Sequence, residues 1–341
     1  MSIDELLSFE PGAEQAFKQQ WLGYTESAGS PQLRSRIARA YQSIEADEVL
    51  VHAGAEEAIF IFMNVALEPE DHIIVHFPCY PSLREIAQSV GCEVTLWETN
   101  EENSWELDLE FLQRRIQTNT QAIIINCPHN PTGYVMSQDK LEELVAIARS
   151  DNILLFSDEV YRFLEREETL PAACDLYEQA VSLGVMSKTY GLAGLRIGWI
   201  ATRNRDIYQR MAAFKDYTSI CNSAPSEFLA TVALKHKEAI IQRNRSIIAD
   251  NLQLLETFFA QYSNVFRWNP PQGGSTAFPR LQTDIGVEEF CHNLVTQTGV
   301  LLLPSTCFDY GNQHFRLGLG RKNLPECLEK LAEYLEDGEI P

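Results

Sequence analysis

The chain lacks the residue clusters that hold a metal ion or a disulfide framework. Its eight cysteines are scattered, and none belongs to a C-x-x-C pair or to a His/Cys group at metal-ligand spacing. We therefore predict no metal site and no disulfide scaffold, and we expect most of the thiols to be buried.

Basic residues are scarce. The 341 residues include 27 Lys and Arg against 48 Asp and Glu, which gives a formal net charge of −21 at pH 7. A surface with this balance repels a phosphate backbone. We expect no nucleic-acid partner, and the charge disfavours a DNA-binding regulator.

Long hydrophobic runs are absent as well. No uninterrupted apolar stretch reaches the roughly 18 residues that a membrane-spanning helix needs. The N-terminal sequence "MSIDELLSFEPGAE" carries acidic residues where a secretory signal has a basic segment followed by an apolar one. We expect a cytoplasmic protein with no membrane partner.

The pattern that is present predicts two domains. Between about residues 32 and 220 the apolar periodicity alternates between strand-like and helix-like, which is typical of βα units around a mostly parallel sheet. From about residue 225 one long helical stretch leads into short strand-like pieces and a final helix. We predict a large α/β domain at 32–220 and a smaller α+β domain formed by 1–31 and 221–341, packed against each other.

Polar residues follow two of the predicted strands, where ligands bind in open α/β sheets. Asn130 lies in "HNPTG" and Asp158 in "SDEVY". Each has a simple structural explanation, because Asn-Pro and Thr-Gly favour a turn and an aspartate after a strand often caps a helix.

Four other positions have equally simple explanations. Gly54 permits a tight strand-to-helix turn, although such a turn also directs free backbone amides at an anion. Lys188 alone is typical of a solvated surface, and Arg316 of a structural ion pair. Tyr80 is compatible with a half-buried core tyrosine. Only the order and spacing of the whole set favour a shared ligand site.

The set resembles the class I and II aminotransferases, which are fold-type I pyridoxal-phosphate enzymes. The resemblance covers nearly the whole chain in the family's order, through "YTESAGSPQLRSRIA", "GAEEAIF", "FPCYPSL", "NCPHNPTG", "SDEVY", "SKTYGLAGLRIGW", "PQGGSTAFPRL" and "FRLGLG". It implies the type I pyridoxal-phosphate-dependent transferase fold, with a large domain on a mostly parallel, seven-stranded sheet and a smaller α+β domain. It also implies pyridoxal 5′-phosphate as the cofactor.

The resemblance makes Lys188 the Schiff-base lysine and a catalytic residue. A neighbouring arginine and limited water lower the pKa of such a lysine, and its free amine then moves a proton as base and acid. Asp158 is implied to pair with the pyridine nitrogen. Asn130 and Tyr161 are implied to donate to the phenolic oxygen, and Tyr80 to stack on the ring.

The implied phosphate site joins backbone and side-chain donors. The backbone amides of Ala55 and Glu56 follow Gly54 at a helix start, Ser187 supplies a hydroxyl, and Arg196 supplies a charged bidentate donor.

Glycines explain how one segment reaches both ends of the cofactor. Gly191 and Gly194 let the chain turn so that Arg196 and Lys188 reach opposite ends of it. Tyr24 resembles the family tyrosine that reaches the phosphate of the other subunit, which implies a homodimer.

Arg316 matches the arginine that binds the substrate's α-carboxylate, and Asn130 is implied to bind the substrate as well. Holding that carboxylate in the cofactor plane leaves the Cα–H bond perpendicular, so that this bond breaks. The implied activity is transfer of an amino group between an α-amino acid and a 2-oxo acid. A lyase, decarboxylase or amino-acid cyclase of the same fold in a biosynthetic pathway stays open as an alternative.

The sequence departs from the family pattern in three ways. Val185 stands where many relatives have a phosphate-binding hydroxyl, the N-terminal segment ahead of "WLGY" is short, and no second arginine marks a dicarboxylate pocket. Phe9, Tyr134 and Phe308 are candidates for the walls of the substrate pocket. The identity of the substrate does not follow from these residues.

Overall fold

A computed structural model describes residues 1–336 of the chain. Its helices are α1 Ile3–Leu7, α2 Ala13–Lys18, α3 Pro31–Ala38, α4 Ala55–Ala66, α5 Ser82–Val90, α6 Leu109–Arg115, α7 Gln138–Ser150, α8 Ala173–Leu176, α9 Arg205–Lys215, α10 Ala224–Lys235, α11 Lys237–Gln261, α12 Val287–Thr298 and α13 Leu324–Glu336. Its strands are β1 Val49–His52, β2 His72–Phe77, β3 Glu93–Glu98, β4 Thr120–Asn126, β5 Leu154–Asp158, β6 Ala180–Val185, β7 Gly198–Ala201, β8 Phe266–Arg267, β9 Thr276–Ala277, β10 Arg280–Leu281, β11 Leu303–Pro304 and β12 Phe315–Gly318.

A seven-stranded sheet forms the centre of the large domain. Its strand order is β1-β7-β6-β5-β4-β2-β3. The pairs between β3, β2, β4, β5 and β6 are parallel, whereas β7 runs antiparallel to both β6 and β1. Strands β2, β5 and β6 are buried along their whole length, as expected for strands with helices on both faces. The predicted mostly parallel sheet is confirmed.

Local sequence explains where the helices begin. Ser30 accepts a hydrogen bond from the Leu33 amide and Pro31 occupies the first turn, as the N-terminal signals of α3 predict. Helix α4 begins after Gly54, which has φ 94° and supplies no side-chain cap. The first amides of α4 therefore have no capping side chain on Gly54, which matters for the site below.

The predicted long helical stretch after residue 224 comprises two helices, α10 and α11. The chain breaks at His236, whose φ of −111° and ψ of 27° end α10 and precede α11. The two helices pack in different hydrophobic cores. Leu229 of α10 packs with the N-terminal helices, whereas Leu252 and Leu255 of α11 pack among the aromatic residues of the C-terminal part.

The C-terminal part has its own core, in which Phe259, Phe266 and Phe315 lie among α11–α13 and the short strands. The N-terminal Leu6 and Leu7 pack instead with residues of β1 and β7. The division into 32–220 and the remaining segments stays a prediction.

Two further features of residues 1–336 bear on the sequence analysis. In this part of the chain, no helix has the length and apolar character needed to cross a bilayer. Most of the thiols are buried, as predicted, namely those of Cys79, Cys92, Cys127, Cys174 and Cys291.

Candidate active site

The site lies at the carboxyl edge of the central sheet. Asn126 ends β4 and Asp158 ends β5, and the two residues are paired in register. Asn130 follows β4, and Lys188 follows β6 after a short turn. Because neighbouring parallel strands end at the same edge, the topology brings these side chains to one place.

Lys188 faces a cluster of charged and aromatic groups. Its Nζ lies 5.7 Å from the centre of the Tyr161 ring. Partial burial lowers the pKa of Lys188, the positive charges of Arg316 and Arg196 lower it further, and the Asp158 carboxylate opposes them. A lowered pKa leaves more of the amine neutral, which a nucleophile or a proton acceptor requires.

Asp158 is a buried carboxyl group with a modest set of donors. Its Oδ1 accepts a hydrogen bond from the Val160 amide at 3.2 Å. Burial raises the pKa of Asp158 to about 7, and the charge of Lys188 acts in the opposite direction. A protonated ring nitrogen next to this carboxylate would stabilise its charged form, so Asp158 is suited to hold such a group.

A chain of hydrogen bonds fixes Asn130 and Arg316 relative to the sheet. Arg316 Nη1 donates to Asn130 Oδ1 at 3.0 Å, and the Asn130 amide donates to Asn126 Oδ1 at 2.7 Å. Asn126 Nδ2 in turn donates to the Asp158 carbonyl at 2.8 Å. The guanidinium of Arg316 lies 5.4 Å from the Phe308 ring centre. Among residues 1–336 Arg316 forms no structural ion pair, so its charge remains available to an anion.

Tyr161 completes this side of the site. It is buried, and burial raises its pKa to about 12, so that its hydroxyl is a hydrogen-bond donor at neutral pH. Its hydroxyl also interacts with Ser275. Sequence reasoning missed Ser275, although it stands in the segment "PQGGSTAFPRL", where a hydroxyl directly after two glycines was the available signal.

A second cradle surrounds the start of α4. A Cβ atom on Gly54 would lie 2.6 Å from Arg196 Nη2, and one on Gly198 would lie 2.7 Å from the Ala55 amide nitrogen. Arg196 Nη1 also donates to Ser187 Oγ, at 3.4 Å. Glycine at both positions lets a guanidinium, a hydroxyl and the amides of a helix start come together, which are the donors that bind phosphate.

The turn between Lys188 and Arg196 differs in detail from the prediction. Gly191 has φ 67°, a left-handed conformation that favours glycine. Gly194 does not have a left-handed φ, and a Cβ atom there would meet only open space. Arg196 itself adopts φ 51°. The reversal of the chain therefore depends on Gly191 and on the strained backbone of Arg196 rather than on Gly194.

Val185 ends β6 as a buried core residue opposite Gly198. No hydroxyl stands at that position, and Ser187 and Arg196 are the side chains next to the helix start.

A sequence model of the family described as "Aminotransferase class I and II" matches residues 10–335. The chain belongs to this family. Its similarity to "Capreomycidine synthase" of Streptomyces vinaceus is 28% identity over 312 residues, which is 91% of this chain and 80% of that protein. Its similarity to "Aspartate aminotransferase" of Bacillus sp. (strain YM-2) is 26% identity, over 86% of this chain and 78% of the other.

Solved structures of relatives support the same assignment for this class I and II family member. A "PLP-dependent aminotransferase" from Streptococcus suis 89-1591 has a TM-score of 0.94 and 33% identity, with 100% of this chain and 92% of that chain covered. A "PLP-dependent cyclase OrfR" has a TM-score of 0.89 and 29% identity, with 99% and 90% covered. The fold is therefore the type I pyridoxal-phosphate fold.

The cofactor of this aminotransferase-family protein is pyridoxal 5′-phosphate, and the residues present fit it. Asp158 suits the pyridine nitrogen, the Gly54–Arg196 cradle suits the phosphate, and Lys188 has the lowered pKa that the aldehyde requires. No group of three His, Cys, Asp or Glu within residues 1–336 is placed to hold a metal ion.

The remaining predicted site residues lie in different surroundings. Tyr80 is 38% exposed at the mouth of the site, and Tyr24 is 84% exposed on the surface of the single chain. Among the candidate pocket walls, Phe308 contacts Arg316, but Tyr134 packs near His76 and Phe9 near His236. Tyr134 belongs to one core cluster beside the sheet, and the partly buried Phe9 packs against another.

Proposed function

We propose that the protein is an aminotransferase that moves an amino group between an α-amino acid and a 2-oxo acid. The observation that carries this proposal is the hydrogen bond between Arg316 and Asn130, close to an amine, Lys188, whose pKa is lowered. An α-carboxylate held by Arg316 leaves the Cα–H bond exposed to Lys188.

Each residue has a defined task in this mechanism. Pyridoxal phosphate, when bound, supplies an electron sink for the bond broken at the substrate's Cα. Arg316 binds and orients the α-carboxylate. Lys188 would hold the aldehyde carbon until the substrate's α-amino group takes its place. Its freed amine would then remove the Cα proton as a base and, as an acid, deliver that proton to the former aldehyde carbon. Asp158 supplies the negative charge that keeps the pyridine nitrogen protonated.

The other residues bind and position. When pyridoxal phosphate is bound, Asn130 and Tyr161 would donate to its phenolic oxygen, and Tyr80 would pack against its ring. Gly54, with the amides of Ala55 and Glu56, forms the phosphate site together with Ser187 and Arg196.

Substitution of Lys188 tests the proposal. We expect Lys188→Ala to lose the visible absorbance of the lysine-bound cofactor and at least about 10⁴-fold in the rate of amino transfer, because the proton carrier is gone. Lys330→Ala, at a half-buried lysine of α13 outside the site, is the control and should keep both. Unchanged absorbance in Lys188→Ala would refute the assigned role.

A lyase, decarboxylase or cyclase is the second candidate, because capreomycidine synthase and the cyclase OrfR are among the similar proteins. Mixing the wild-type protein with single amino acids and following the cofactor and the products distinguishes the two candidate functions. Conversion of the cofactor to its amino form supports transamination, whereas products formed without that conversion support the second candidate. Release of carbon dioxide would contradict the role of Arg316.

The active unit in this proposal is a homodimer in which Tyr24 reaches the phosphate site of the other subunit. An apolar surface patch supports it, formed by Trp21, Leu22, Tyr24, Tyr217 and Ile220, of which Trp21, Leu22 and Tyr24 are 79%, 79% and 84% exposed. Groups of exposed apolar side chains mark interaction surfaces.

A further inference from the structure

Glu101 is a buried carboxylate that joins the central sheet to the C-terminal part of the chain. It opens the short 3₁₀ turn Glu101–Asn103 just after β3 and is 6% exposed. Basic and amide nitrogens surround its two oxygens, namely Arg267 Nε at 3.4 Å, Asn269 Nδ2 at 3.2 Å, Arg280 Nη1 at 3.9 Å and His314 Nε2 at 3.4 Å. One side chain from the edge of the sheet therefore holds separate C-terminal segments together.

His314 connects this carboxylate to the strand that carries Arg316. Arg280 and His314 form an isolated antiparallel bridge, which extends the pairing pattern beyond the first residue of β12. Alternate residues of a strand face the same side, so the side chains of His314 and Arg316 share one face. Glu101 thus holds the strand two residues before Arg316 and on the same face.

Packed rings join His314 to Arg316 by a second route. The His314 ring stacks on that of Phe278, with centroids 5.1 Å apart and 17° between the planes. Phe278 meets Phe308 edge-on at 5.9 Å, and the Arg316 guanidinium lies 5.4 Å from the Phe308 ring centre. Because a close-packed interior transmits displacement, a shift of His314 reaches Arg316 through the backbone and through these rings.

The other contacts across this boundary are not ionic. The ring of Trp105 meets His314 edge-on at 5.5 Å, and the Tyr310 hydroxyl donates to the Thr99 carbonyl at 3.3 Å. A buried charge adds little net stability to such packing, since the cost of removing it from water offsets much of its attraction. The direction that Glu101 imposes on its donors is what the neutral contacts do not supply.

We propose that Glu101 is a positioning residue for the substrate's α-carboxylate, which acts by fixing His314 and the start of β12 so that Arg316 keeps its place beside Asn130. This inference rests on the proposed function, in which Arg316 binds that carboxylate. Glu101 acts through His314, Phe278 and Phe308 rather than by contact with the substrate.

Glu101→Gln tests the proposal, because it keeps the shape and removes the charge. The new amide group would also place a donor among the donors of Arg280 and His314. The common L-amino acids are mixed singly with the protein, and the one that converts the wild-type cofactor absorbance fastest is the probe. We expect the variant to lose at least about tenfold in the second-order rate constant for that conversion, while the limiting rate stays within about threefold. This pattern is expected when substrate binding is weakened and the chemical step is not.

A double-mutant cycle separates positioning of Arg316 from a general effect on the fold. In an Arg316→Gln background, Glu101→Gln should change the second-order rate constant less than about twofold, because the group that it positions is already gone. His314→Phe keeps the ring on Phe278 and removes the contact with Glu101. It should lower the rate constant at least about threefold, and it decides the question if Glu101→Gln does not fold.

Asp175→Asn is the matched control. The carboxylate of Asp175 also joins distant segments, since its Oδ1 accepts from the Gln42 amide at 3.0 Å and from the Ser43 amide at 2.8 Å. Urea denaturation of the cofactor-free proteins compares the stability that the two substitutions remove. Asp175→Asn should leave the rate constant within about twofold of the wild type, whatever stability it loses.

Three results would overturn the inference. An unchanged rate constant in Glu101→Gln, or in His314→Phe where the first variant is unfolded, removes the positioning role and leaves the aminotransferase proposal standing. Additive losses in the Arg316→Gln background assign Glu101 to the fold alone. If no amino acid alters the cofactor absorbance of the wild type, the proposed function fails, and the inference with it.

Discussion

The buried carboxyl group of Asp158 lowers the stability of the folded protein at neutral and alkaline pH. Its pKa in the folded protein is raised from 3.8 to about 7, because burial disfavours the charged carboxylate. The folded protein therefore holds a proton at pH values where the unfolded chain has already lost it. The favourable contribution is complete below about pH 4 and is lost as the pH rises through 7.

Asp158→Asn removes this titration, so we expect the cofactor-free variant to be more stable than the cofactor-free wild type at pH 8. The gain should be about 2–4 kcal/mol and should vanish near pH 4, where the wild-type carboxyl is protonated. Urea denaturation at several pH values measures it. Asp284→Asn, at an exposed loop residue, should follow the wild-type curve, and a gain at pH 8 that persists at pH 4 would contradict the mechanism.

The loop between β4 and α7, which carries Asn130, is held by buried polar contacts. The rings of His76 and His129 stack with centroids 3.8 Å apart, and burial lowers the pKa of both, so they are neutral. His129 Nδ1 lies 2.7 Å from Thr132 Oγ1, which also accepts from the Tyr134 amide at 3.2 Å. These buried contacts hold the loop against β2 and so restrict the position of Asn130.

Thr132→Val should therefore reduce the free energy of unfolding by about 1–3 kcal/mol, because it leaves buried polar atoms without their partner. It should also raise the KM for the amino acid more than it lowers kcat, since Asn130 supports Arg316. Chemical denaturation and steady-state kinetics measure the two effects. Thr257→Val, at an exposed helical threonine that bonds the Gln253 carbonyl, should stay within about 0.5 kcal/mol of the wild type.

The contact between β7 and the start of α4 is the second element that positions the site. A Cβ on Gly198 would lie 2.6 Å from the Gly54 carbonyl carbon, so Gly198→Ala must push the strand and the helix start apart. We expect the Kd for pyridoxal phosphate, measured by fluorescence titration, to rise at least about tenfold, or 1.4 kcal/mol. Gly318→Ala, in β12 with open space around it, is the control. An unchanged Kd in Gly198→Ala would exclude the cradle as the phosphate site.

Sequence reasoning predicted the features that depend on local pattern. Apolar runs ending in polar residues placed Asn130 just beyond a strand and Asp158 at a strand end, and the Ser30–Pro31 signal placed the start of α3. It did not predict contacts made between distant segments. One example is the break at His236 between α10 and α11, whose two helices pack in different cores. Another is the hydrogen bond from Ser82 to Glu56, which joins α5 to α4 across 26 positions of the sequence.

At the scale of the whole molecule, the apolar surface patch and the site are connected. Thr25 Oγ1 donates to the Asn222 carbonyl at 3.1 Å, and Lys215 Nζ donates to the carbonyls of Ser27 and Ile220. These bonds hold the Trp21–Tyr24 segment beside the Tyr217–Ile220 segment. Thr218, within the second segment, donates to Glu57 in the first turn of α4, so the patch borders the helix start that we propose as the phosphate site.

This proximity gives the proposed dimer a test that separates assembly from cofactor binding. Trp21→Asp with Leu22→Asp places two charges on the patch, and we expect it to convert a dimer to a monomer in sedimentation velocity, because burying unpaired charges is costly. Tyr24→Phe keeps the ring and removes only the hydroxyl, so the dimer should persist while the Kd for pyridoxal phosphate rises about three- to tenfold. A wild-type monomer with full activity would remove the role of Tyr24. If the protein is a dimer and Tyr24→Phe leaves the Kd for pyridoxal phosphate unchanged, the interface stands but Tyr24 does not belong to the phosphate site.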